Sequence, residues 1–93
     1  MKDDKKNPEI KIRTKSTPKV NPRIILYNDE WHTFEEVIEQ IILATGYLTS
    51  QAEAMTWEVH KQGRSTIYAG NFYRCPEISA ILEDIHLSTE VRY

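Results

Sequence analysis

A chain of 93 residues with 40% hydrophobic residues and a formal charge of −2 has room for one globular domain at most. The charge is split: the first 22 residues carry seven basic and three acidic side chains, a net +4, and the other 71 sum to −6, so the body lacks the basic face that binding nucleic acid requires. The single cysteine, Cys75, has no intramolecular disulfide partner, the N-terminus has no apolar signal region, and no apolar run approaches the roughly 20 residues that span a bilayer; a cytoplasmic protein with no membrane segment is expected.

Over residues 1–22 the aliphatic residues Ile10, Ile12 and Val20 are too sparse for a helical or strand face, and the segment is predicted as a disordered basic extension. The folded body is predicted over 23–93. At Arg23 the composition changes, and Ile24-Ile25-Leu26-Tyr27 reads as a strand closed by the polar turn Asn28-Asp29. Thr33 and Glu36 have capping-box spacing, with His32 competing for the N-cap; a helix to Gly46 follows, its stripe formed by Phe34, Val37, Ile38, Ile41, Ile42 and Thr45. Ser50 and Glu53 repeat that spacing before a second helix with Ala52, Met55 and Val59 on its core face, ending at Gly63, while Trp57 lies off the stripe. Ser65 to Ala69 reads as a strand, Pro76 opens a third helix carrying Ile78, Ile81, Leu82 and Ile85, and Leu87 to Tyr93 reads as the last strand. The order β-α-α-β-α-β defines an α+β fold: a three-stranded antiparallel sheet with three helices packed on one face.

The polar residues available for chemistry are Asn28, Asp29, Glu30, His32 and His60. Turn and capping roles account for the first three with no function at all, and a lone helical histidine such as His60 is commonly structural. Asp29, Glu30, His32 and His60 would be the ligands of a metal site, but their spacing is unspecific. The metal-protease, thiol-pair, nucleophile-elbow and phosphate-loop motifs are absent from the sequence, so no catalytic residue, metal or cofactor is predicted and the protein reads as a non-enzyme.

Two segments taken together, Ile25-Leu26-Tyr27-Asn28-Asp29-Glu30-Trp31-His32-Thr33-Phe34 and Val59-His60-Lys61-Gln62-Gly63, resemble the ClpS adaptor family. That family's pattern is a strand closing in Asn-Asp-Asp, an aromatic residue, a helix opening, and a second helix ending in Val-His-x-x-Gly. The resemblance spans Arg23 to Tyr93. It implies an adaptor that binds proteins bearing a bulky hydrophobic N-terminal residue, an N-degron, and delivers them to the N-terminal domain of a Clp AAA+ unfoldase for degradation. Carried over by position, Asn28, Asp29 and His60 form a clamp for the substrate's α-amino group. Leu26, Phe34, Val37, Thr56, Val59 and Leu87 line the pocket for its first side chain, with Glu30 and His32 at the rim. An α-ammonium has three N–H donors and a free pKa of about 8, and Asn28, Asp29 and neutral His60 can each accept. Glu30 stands where the pattern has a second aspartate, and Thr56 where many members have methionine. The region of Arg64, Tyr73 and Glu77 is the expected unfoldase-docking surface. The competing reading is an interaction module of the same fold that binds a partner helix or an internal peptide without reading a free N-terminus.

Overall fold

The computed structural model describes residues 21–93; of the disordered extension expected over residues 1–22, all but the last two lie outside them. β1 (Arg23–Tyr27) is the central strand of an antiparallel sheet ordered β2-β1-β3, flanked by β2 (Arg64–Ala69) and β3 (Thr89–Arg92). Alternation along β1 sends fully buried Ile24 and Leu26 to the helical side, whereas Ile25 points to the other face and shares a shallow groove with Arg23, Arg64, Thr66 and Arg92. The register slips between Ile24 and Ile25, so five residues of β1 oppose six of β2. The expected boundary at Arg23 moves by one residue: Pro22 is buried, and its carbonyl accepts from Gly70 N at 3.1 Å.

The three helices are α1 (Phe34–Thr45), α2 (Thr49–Gln62) and α3 (Cys75–Glu83). α2 lies against β2, α3 against β1 and β3, and α1 packs on both helices. Thr33, not His32, caps α1: its hydroxyl accepts from Glu36 N at 3.1 Å and Glu36 Oε1 accepts from Thr33 N at 2.8 Å, the reciprocal pair that the spacing predicted. Gly46, at φ 80°, ends the helix in the left-handed region. In the core, Ile41 and Ala44 of α1 meet Ala52 and Val59 of α2 and Cys75, Ile78 and Leu82 of α3, over Ile24, Leu26 and Ile67 of the sheet.

Three further expected boundaries change. α2 begins at Thr49 and the Ser50–Glu53 box does not form; Gln51 Oε1 instead accepts from Leu48 N at 3.1 Å. The start is fixed from outside the helix, because the Tyr47 hydroxyl donates to Ile67 O at 2.9 Å and pins the linker to β2. The last strand starts at Thr89 rather than Leu87. Ile85, expected on the third helix, lies beyond its end at Glu83: with His86, at φ 64°, it forms a turn that sends Leu87 into the interior at 4% exposure before β3 begins. Among the described residues no helix is long and apolar enough to cross a membrane.

Candidate functional site

The C-terminal end of β1, the start of α1 and the end of α2 meet at one edge of the sheet. A backbone bond makes the junction: Asn28 N donates to Gly63 O at 2.9 Å. Gly63 adopts φ 89°, which reverses the chain after α2 and brings the last helical turn, with Val59 and His60, beside Asn28. Tyr27 N likewise donates to Ser88 O at 2.9 Å, bringing Leu87 to the same edge.

Between these segments lies a pocket of about 440 Å³. Its lining includes all eleven residues singled out from the sequence: Asn28, Asp29 and His60; Leu26, Phe34, Val37, Thr56, Val59 and Leu87; Glu30 and His32. The helices supply its apolar part because Phe34 and Val37 occupy one face of α1, and Thr56 and Val59 the facing side of α2. Thr56 is 3% exposed and its hydroxyl donates to Ala52 O at 2.7 Å. With that hydroxyl bonded within the helix, its methyl group is what Thr56 adds to the wall.

Asp29 is fixed on three sides. Oδ1 accepts from Trp31 N at 2.9 Å and His32 N at 3.0 Å, and Oδ2 lies 2.8 Å from His32 Nδ1. Burial acts to raise the Asp29 carboxyl, but the two backbone N–H bonds and the imidazole outweigh it and hold the group below the usual carboxylate value. A carboxylate offers about four lone-pair positions. Among the described residues three are filled, which leaves one on Oδ2.

His32 is set deeper than a rim residue, with its side chain 12% exposed. Its second ring nitrogen, Nε2, lies 2.5 Å from the carbonyl oxygen of Ile85, 53 residues away. Carboxylate and carbonyl oxygens only accept, so both contacts are satisfied together only when both ring nitrogens donate, which favours the imidazolium form of His32. Burial works to lower its pKa, and the bonds to Asp29 and Ile85 with the charges of Asp29 and Glu36 overcome that and raise it. This ring ties the turn after β1 to the turn after α3.

Asn28, Glu30 and His60 are exposed at the pocket mouth. Tyr27 and Thr33 also line the pocket, although the sequence reading did not single them out. Trp57 was passed over as well: its ring centroid lies 4.7 Å from that of Phe34 and 5.9 Å from that of His60. The i, i+3 spacing of Trp57 and His60 was the available signal. Arg64, Tyr73 and Glu77 are not brought together as the docking reading required. Arg64 pairs with Tyr27 at the pocket end of the sheet, whereas Tyr73 and Glu77 follow the opposite end of β2. Among the described residues no three His, Cys, Asp or Glu side chains gather as metal ligands.

Fold and site define a small α+β domain whose pocket sets hydrogen-bond acceptors beside an apolar floor. The pattern of one family, ATP-dependent Clp protease adaptor protein ClpS, matches residues 18–89. The chain belongs to the ClpS family, which is a family of adaptors. The structure of Agrobacterium tumefaciens ClpS2 bound to L-phenylalaninamide has the same fold, with a TM-score of 0.63 at 12% identity over 81% of this chain and 100% of that one. The E3 ubiquitin-protein ligase UBR1 of Homo sapiens is 33% identical over 85 residues, 89% of this chain, and the ligase ubr-1 of Caenorhabditis elegans 36% identical over 77 residues, 80% of this chain. The chain spans about 4% of the length of these ligases.

Proposed function

We propose that this domain reads the free N-terminus of other proteins, selecting a bulky hydrophobic first residue, and hands them on for degradation. The observation that carries the reading is the adjacency of Asn28, Asp29 and His60 to the apolar residues lining the same pocket. The Asn28 carbonyl oxygen, the open position on Asp29 Oδ2 and an unprotonated His60 nitrogen supply three acceptors for the three donors of an α-ammonium. The pocket formed by Leu26, Phe34, Val37, Thr56, Val59 and Leu87 takes the first side chain, and burying Leu, Phe, Tyr or Trp there contributes roughly 1.5 to 3 kcal/mol. The A. tumefaciens relative, bound to an amino-acid amide, supports a terminal amino acid as the ligand.

Delivery to the N-terminal domain of a Clp AAA+ unfoldase, with the basic N-terminal segment assisting, is the destination that the family description favours. Likeness to a segment of UBR1 ligases favours a second destination, ubiquitin ligation. The recognition step is common to both. It is tested by titrating one Phe-initiated peptide with a free or an acetylated N-terminus. The free form binds at least tenfold more tightly if the clamp operates, and equal affinities would instead support a module that binds an internal peptide or a partner helix.

A further inference from the structure

The side chain of Trp57 belongs neither to the core nor to the pocket lining, yet it touches both halves of the site. Its ring packs at 4.7 Å and 56° on Phe34, a pocket wall on α1, and meets the imidazole of His60 at 5.9 Å and 74°. Almost half of it, 48%, remains exposed. An isolated surface tryptophan needs no explanation. This one is held by contacts to a pocket residue and a clamp residue on two different helices, so its open area adjoins the mouth of the pocket.

A chain held by its α-amino group at Asn28, Asp29 and His60 has its second Cα 3.8 Å from the first, the fixed spacing across a trans peptide. With the first side chain in the pocket, the second residue lies at its mouth, one Cα spacing from the clamp and within reach of the ring that Trp57 holds beside His60. We infer that Trp57 is a second-residue subsite, an indole platform that selects a large aromatic or aliphatic side chain at position two of the bound N-terminus. The inference rests on the N-terminal reading proposed above. Lys61 sets the other half of the preference: its Nζ lies 5.8 Å from the centre of the Trp57 ring. A cationic second residue meets that charge and is disfavoured, and an apolar one displaces a flexible lysine from the ring.

The test uses the full chain and peptides beginning Phe-Trp, Phe-Ala or Phe-Lys, otherwise identical, each with a free and an acetylated N-terminus, titrated by calorimetry. Stacking on an aromatic face is worth about a 3- to 10-fold preference, so Phe-Trp should bind about 3- to 10-fold more tightly than Phe-Ala, and Phe-Lys more weakly than Phe-Ala. Trp57→Ala should bring the Phe-Trp to Phe-Ala ratio to within about twofold of unity, and Trp57→Phe, which retains a ring against Phe34, should keep part of it. A wild-type ratio of one with acetyl discrimination intact overturns the subsite and leaves the clamp standing. Loss of acetyl discrimination overturns the clamp and the subsite together. A Trp57→Ala protein that weakens all three peptides by one common factor shows the indole to be packing for Phe34 and His60 only, which also overturns the inference.

Discussion

Replacing His32 by glutamine removes the cationic bridge between the turn after β1 and the turn after α3. In the wild type Nδ1 lies 2.8 Å from the Asp29 carboxylate and Nε2 lies 2.5 Å from the Ile85 carbonyl. The single neutral amide nitrogen of glutamine can serve only one of these acceptors. Hydrogen bonds involving a charged group contribute about 1.5 to 3 kcal/mol each, so after allowing for one replacement bond the loss is about 2 to 4 kcal/mol. The His32 side chain is only 12% exposed, so water restores little of it. The pH dependence has a definite sign. The folded pKa of His32 is raised above 6.5, so its contribution is complete below that ordinary value and is lost as pH climbs through the raised one. The Asp29 carboxyl is held below 3.8, so its share persists at every pH above its ordinary value. Urea denaturation at about pH 6 and about pH 8.5 should therefore show the gap between wild type and His32→Gln narrowing at the higher pH. Burial raises Cys75 above 9.0 and Tyr47 above 10.0, but both are common to the two proteins and cancel in the difference. A gap equal at the two pH values, or one below about 0.5 kcal/mol near pH 6, would refute the imidazolium bridge.

Asp29→Asn preserves shape and removes the charge facing the ammonium, and is expected to weaken binding of a free-amine peptide by about 10- to 150-fold; an unchanged affinity in calorimetry counts against Asp29 as a clamp residue. His60→Ala should act in the same direction and leave thermal unfolding nearly unaltered, because His60 is exposed; unfolding without loss of affinity would make that histidine structural. Thr56→Met should sharpen discrimination against Ile relative to Leu as the first residue, while overfilling a site that is 3% exposed costs about 1 to 3 kcal/mol of stability; an unchanged Ile to Leu affinity ratio removes Thr56 from the specificity argument. Deleting residues 1–18, which stops short of the buried Pro22, should spare peptide binding and impair degradation of a substrate by the partner unfoldase, and equal degradation rates would show the segment to be dispensable.

What the sequence disclosed and what it hid divide along the range of the interactions. The Thr33–Glu36 pair and Gly46 bound α1 because a capping box and a left-handed terminus are complete within a few residues. The same spacing at Ser50 and Glu53 misled, since Tyr47 is anchored on Ile67 and starts the helix earlier. Asn28, Asp29 and His60 were legible as a group only through resemblance to a family. The bond from Asn28 N to Gly63 O that joins them has no periodic signature. His32 was placed at the rim because its second partner is a main-chain oxygen 53 residues away, which any residue type at position 85 would offer. Trp57 was set aside for lying off the core stripe, and that same position puts it beside Phe34 and His60.

The burial of Pro22, ahead of the central strand, has a mechanical consequence. The pocket lies at the Tyr27 end of β1, and the chain enters at the Arg23 end, where Arg23 faces both Ala69 and Arg92. Tension applied to the residues before Pro22 is therefore transmitted along the strand, at right angles to the ladder bonds on both of its sides. When the body is held at the pocket end, those bonds are loaded in shear and not opened one after another as at a peeled edge strand. A pull on this domain from its N-terminal side, against a body held at the pocket end, therefore loads both ladders along the strands and not across an edge.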